Sequence, residues 1–154
     1  NRTSFGSTRE AQDECISRVL YFVEHHWLEL LKFSRRTEYQ MNRWAARYGM
    51  KLTPTDQMCH AKNSCAGRYT AVNLTNSDTV EIRMFRGTLK LNTLKATLQM
   101  VNHLVEVAVA MSDSQVQDMS WFDFLDNITE PELIQYLKER RLYVNEPVSA
   151  SEEE

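Results

Sequence analysis

Glycine and proline are scarce in this chain, four and three among 154 residues. A sandwich or barrel of many short strands needs turns at close intervals, so the scarcity favours helices. Cysteine is sparse as well. Cys15, Cys59 and Cys65 are odd in number and lack the dense, even spacing of a disulfide-stapled secreted domain, so a reducing, cytoplasmic setting is expected. No run of 18 apolar residues occurs, which excludes a membrane-spanning helix. The opening Asn1-Arg2-Thr3-Ser4-Phe5-Gly6 shows no charged-then-apolar signal pattern. An excess of one charge is also lacking. Eighteen Lys and Arg face 21 Asp and Glu, a net charge of -3 that Glu152, Glu153 and Glu154 alone account for. No bulk electrostatic case for a nucleic-acid partner follows. With 42% hydrophobic and 25% charged residues, the chain can bury the core of one ordinary domain and is not disordered.

The periodicity predicts a first helix over 8–32, with Ser7 or Thr8 as cap and Glu10 placed for a capping box. Its stripe is Ile16, Val19, Leu20, Val23, Trp27, Leu30 and Leu31, widened by Tyr21, Phe22 and Leu28 to cover much of the circumference. A second helix is expected over 38–48, ended by Gly49. Pro54, Asp56, Asn63, Ser64 and Gly67 punctuate 50–67 as a loop or short strand excursion. Two strands, 68–74 and 79–85, flank the turn-rich Thr75-Asn76-Ser77-Asp78 as an antiparallel hairpin, with Gly87 closing the second strand. A long helix is predicted over 92–111, its face Leu94, Leu98, Val101, Val105 and Ala108 with Leu104 beside it. Trp121, Phe122 and Phe124 should pack onto the body, and Thr129 should cap a last helix with Lys138, Arg140 and Arg141 in its final turn. The fold class expected is α+β, helices packed on a small antiparallel sheet.

Side chains alternate across a strand, so Val80, Ile82 and Met84 should face the helices while Glu81, Arg83 and Phe85 face away. Glu81 and Arg83 then lie about 7 Å apart on one face. A carboxylate there can hold a divalent cation, and a guanidinium can fork onto a phosphate or carboxylate. The plainer alternative is a solvated strand face with a salt bridge. Asn73 shares the face if the hairpin brings the two strands together, and otherwise is a turn-flanking asparagine.

The run Arg68-Tyr69-Thr70-Ala71-Val72-Asn73-Leu74, then Thr79-Val80-Glu81-Ile82-Arg83-Met84-Phe85-Arg86-Gly87-Thr88-Leu89, then a long apolar helix, resembles the amidoligase family over residues 1–112. Those carboxylate–amine ligases are similar to glutamine synthetase and glutamate–cysteine ligase. The resemblance implies a glutamine synthetase-like catalytic domain that forms an amide through an acyl phosphate, using ATP and Mg2+. It makes Glu81 a metal ligand, Arg83 and Arg86 catalytic, and Arg68, Arg36 and Asn73 cofactor-binding. Family members also carry a Gly-x-Glu-x-Glu strand and a His-x-His strand, neither of which is in this sequence. The expectation is therefore that residues 1–145 are the C-terminal part of a longer enzyme, inactive alone, followed by a disordered acidic tail at 146–154. Strand edges and apolar surface bared in such a piece would favour self-association. Partners implied are a small-molecule or peptide carboxylate and an amine, not a membrane.

A different class of reading is a non-catalytic protein- or nucleic-acid-interaction module. Arg43 and Arg47, one helical turn apart and interleaved with Tyr39, Trp44 and Tyr48, would form its surface. Cys59, His60 and Cys65 lack a fourth zinc ligand at a familiar spacing, and His103, near an apolar helix face, suits a hydrogen-bonded packing role.

Overall fold

A computed structural model describes residues 1–144; the acidic tail expected at 146–154 lies outside them. After a short 3-10 turn, Arg2–Phe5, helix α1 covers Arg9–His25. The Thr8 hydroxyl accepts from the Ala11 amide, which makes Thr8 the cap and leaves Glu10 without a capping-box role. Every residue from Cys15 to Glu24 is buried. Helix α1 therefore runs through the middle of the molecule.

The single helix expected over 8–32 is two. Helix α2, Trp27–Ser34, starts afresh after His26, whose φ of -114° and ψ of 34° leave the helical region. Neither glycine nor proline marks the break. The rings explain it: His26 packs on Phe22 and faces Trp121, with centroids 4.4 and 6.1 Å away, while His25 stacks on Tyr21 and bonds the Lys51 carbonyl at 2.8 Å. Long-range packing overrides the local period here.

Helix α3, Glu38–Trp44, opens on a capping box between Thr37 and Gln40. It stops four residues short of the expected end, because the chain turns extended to reach two partners. Ala46 bridges to Thr70, and the Tyr48 amide donates to buried Glu24 at 2.7 Å. Helix α4, Pro54–Lys62, occupies the segment expected as a loop. Thr53 caps it, Pro54 takes the first position where no amide is needed, and Asp56 sits in the first turn. This helix lies along α1.

The hairpin forms where the sequence places it, with a shorter ladder. Strands β1, Val72–Asn73, and β2, Glu81–Ile82, pair antiparallel with Asn73 opposite Glu81. Beyond Arg83 the chain leaves the ladder, since Met84 sinks into the core and the Arg86 amide donates to the Ser34 carbonyl at 3.1 Å. Phe85, expected to face away, packs edge-on against Phe33 instead.

Helix α5, Leu91–Ala110, is the long helix, rotated from its expected face. Thr93, Ala96, Met100, His103, Leu104, Val107 and Ala108 are buried, whereas Leu94 and Leu98 are exposed. His103 is a packing residue, its Nε2 2.7 Å from the Phe124 carbonyl. Helices α6, Asp113–Asp118, and α7, Trp121–Leu125, bury Trp121 and Phe124 against Phe22; Phe122 stays exposed. Helix α8, Pro131–Glu139, lies along α5. Glu130 rather than Thr129 holds its cap position. The result is eight helices around one core, with a two-stranded sheet at its edge, among the described residues. None of these helices is long and apolar enough to cross a membrane.

Candidate functional site

The hairpin register decides what meets on its outer face. Asn73 stands opposite Glu81, and its Nδ2 donates to Glu81 Oε2 at 2.9 Å. Arg83, two residues on, donates from Nη1 to Glu81 Oε1 at 2.8 Å. Asn73 is itself held, because its Oδ1 accepts from the Thr75 amide at 3.0 Å in the turn. Arg83 and Arg68 both lie over the Tyr69 ring, each at 5.2 Å from its centroid. Trp44 packs edge-on against Tyr69. The three side chains expected to share a face do so, in direct contact, and Arg68 lies within electrostatic range of Glu81.

The Asn73 amide, together with Arg83 and Arg68, holds the Glu81 carboxyl below its ordinary range, against the opposing effect of partial burial. A depressed acid stabilises the fold above its unfolded pKa and loses that contribution as pH falls through the folded value. Glu81→Gln should therefore lower the urea midpoint at about pH 7, with the gap to the parent narrowing as the pH falls through the folded value. A gap unchanged across that range would remove this account.

Arg36 and Arg86 gather at a second place. The Arg36 guanidinium is held below its ordinary pKa by burial and by the nearby charges of Arg83 and Arg86. Its Nε is buried without a hydrogen-bond partner. A cavity of about 420 Å³ opens beside it, lined by Lys32, Arg35, Arg36, Arg86 and Arg140 and by no acid. Arg35 reaches it through a left-handed backbone, φ 61°, and donates to the Arg86 carbonyl at 2.8 Å. Arg140 donates to the Lys32 carbonyl. Arg36 and Arg86 are the site residues expected from the sequence, with Arg35 beside Arg36 at the same helix end; Lys32 and Arg140 are companions the sequence does not point to. Arg35 and Arg36 follow directly on the end of α2; Arg140 arrives from the end of α8, which no local pattern shows.

A carboxylate has about four acceptor sites, and Asn73 and Arg83 use two on Glu81. That leaves room for one contact to a cation. Among the described residues no group of three or more His, Cys, Asp or Glu side chains gathers for a metal. Among the described residues, Glu81 fits one contact to Mg2+, not a complete site. His60 is spent on the Tyr48 carbonyl at 2.7 Å.

The basic–aromatic surface expected around Arg43, Trp44 and Arg47 does not form as one helix face. Arg47 lies beyond the end of α3, paired with Glu24 at 2.9 Å and stacked over Trp27. Arg43 stays on α3, over Trp44 and donating to the Tyr39 hydroxyl at 3.3 Å. In comparisons with known proteins, no family model, no curated protein and no solved structure matches this chain.

Proposed function

We propose that this chain is part of an ATP-dependent carboxylate–amine ligase of amidoligase type, built on a glutamine synthetase-like domain. One observation carries the reading: the Asn73–Glu81–Arg83 contact on the hairpin, with Arg86 and Arg83 within electrostatic range of Arg36. A free carboxylate and an amine do not condense at useful rates. Transfer of the ATP γ-phosphoryl to the carboxylate gives an acyl phosphate, and attack by the amine expels phosphate and leaves the amide. Arginines spread around the transferring group neutralise its equatorial oxygens. Arg83 and Arg86 take that role, with Arg36 and Arg68 drawing the triphosphate in. Glu81 fixes the Arg83 fork and supplies one contact to Mg2+, which when bound shields the phosphates. Asn73 fixes Glu81.

The test is ADP release by the full-length protein supplied with ATP, Mg2+ and mixed amino acid and polyamine substrates. Glu81→Gln should abolish it, and Arg83→Lys, which keeps charge and loses the fork, should cost at least about 100-fold. Turnover unchanged by Glu81→Gln would remove the assignment.

A further inference from the structure

Helix α5 carries a second apolar row that is exposed at both ends and touches the core only through Val105 near its middle. Leu91, Leu94 and Leu98 are 64%, 45% and 62% exposed, and Val109 is 47% exposed. Val101 and Val105, between them, are half-buried. The six residues recur at spacings of three and four, the stripe by which one helix packs along another. The opposite face of α5, centred on Ala96, Met100 and Leu104, already serves the core.

Charge along α5 runs against the helix. Arg83, Arg86, Lys90 and Lys95 precede or open it with no acid among residues 83–105. From 96 to 137 there is no Lys or Arg, and Glu106, Asp113 and Asp118 follow in turn. No acid occupies the first turn and no base the last. Cations at a helix N-terminus and acids near its C-terminus both oppose the macrodipole. A second copy laid antiparallel reverses that conflict, because each basic end meets an acidic one. A parallel copy would set Lys95 against Lys95.

We propose that α5 is a self-association surface on which two copies of this chain pair antiparallel about a two-fold axis near residue 100. Each large side chain of the exposed row then meets a smaller one: Leu91 against Val109 of the second copy, Leu94 against Val105, Leu98 against Val101. Lys95 and Glu106 lie on the same flank of the row, and the two-fold sets each beside the other's counterpart. Lys95 has the freedom to reach, since its side chain is 48% exposed and only 3.5 Å from a single acid, Glu132. Glu106 accepts from Asn102 with one oxygen and keeps the other. A two-fold interface is self-complementary, which a graded charge along one helix satisfies.

Sedimentation equilibrium on this chain is the test. The parent should dimerise below about 100 µM, and Leu98→Glu, counted twice across the two-fold, should raise Kd more than about 100-fold. Circular dichroism checks that the variant keeps its helices, with Leu98→Gln in its place if it does not. Lys95→Glu and Glu106→Lys should each weaken the dimer about tenfold, and the double reversal should return it to within about threefold of the parent. A monomeric parent, a dimer indifferent to Leu98→Glu, assembly beyond two copies, or a double reversal no better than the singles would each overturn the proposal.

Discussion

Glu24→Ala is expected to lower the melting temperature by about 10 °C, the consequence of losing about 3–5 kcal/mol from a buried charged network in a domain of this size. Glu24 sits in the last turn of α1 and is 2% exposed. One carboxylate oxygen takes the Arg47 Nε at 2.9 Å and the other takes the Tyr48 amide at 2.7 Å. Arg47 also donates to the Glu24 carbonyl at 2.8 Å and lies over Trp27. Alanine leaves the Arg47 Nε and the Tyr48 amide without their acceptor, and unpaired donors of that kind carry the cost. Arg47→Met added to Glu24→Ala should recover only part of the loss, because the Tyr48 amide stays unpaired. The effect should reach the hairpin. The stretch that Glu24 fastens runs straight into Ala46, which exchanges backbone hydrogen bonds with Tyr69 and Ala71. Thermal melts followed by circular dichroism measure the change. A shift under about 2 °C would mean that solvent satisfies these donors and that the network is not what holds the segment.

What could be read in advance is what depends on neighbours in the chain. The α1 stripe, the existence of α5 and the two-strand hairpin all rest on local period or alternation, and all are present. Alternation likewise puts Glu81 and Arg83 on one face, whereas Asn73 joins them only through the register, which sets it opposite Glu81 where a four-residue turn at 75–78 would set it opposite Val80. What could not be read depends on distant packing. The break at His26 comes from Trp121, ninety-five residues away in sequence. The rotation of α5 was hidden because apolar residues lie on two sides of it, and hydrophobicity alone does not say which side the core takes. The miss at α4 was of another kind. Thr53, Pro54 and Asp56 are turn residues and also a cap, a first helical position and a first-turn acid, and the second meaning held. The arginine basin joins the end of α2, the segment after β2 and the end of α8, so only the folded chain assembles it.

Phe33 ties that basin to the core, and Phe33→Ala is the other large effect expected, about 3–5 kcal/mol. The ring is 1% exposed and meets Tyr136 of α8 edge-on at 4.7 Å and Phe85 at 5.4 Å. The Tyr136 hydroxyl donates to the Phe33 carbonyl at 2.7 Å, and burial pushes its pKa up, so it stays protonated and keeps donating well above neutral pH. One residue later the Ser34 carbonyl accepts from the Arg86 amide, and Arg35 and Arg36 follow. Emptying the Phe33 site therefore loosens three segments that meet there, and with them the spacing of Arg36, Arg86 and Arg140. Tyr136→Phe removes only the hydroxyl and should cost about 1 kcal/mol while leaving the ring contacts in place. If the basin takes phosphate groups, ATP binding to the folded protein, read by titration calorimetry well below the melting temperature, should weaken in Phe33→Ala and hold in Tyr136→Phe. Equal affinity in both, with Phe33→Ala destabilised as expected, would show that the arginines keep their places without the ring and that the basin is not positioned through α2.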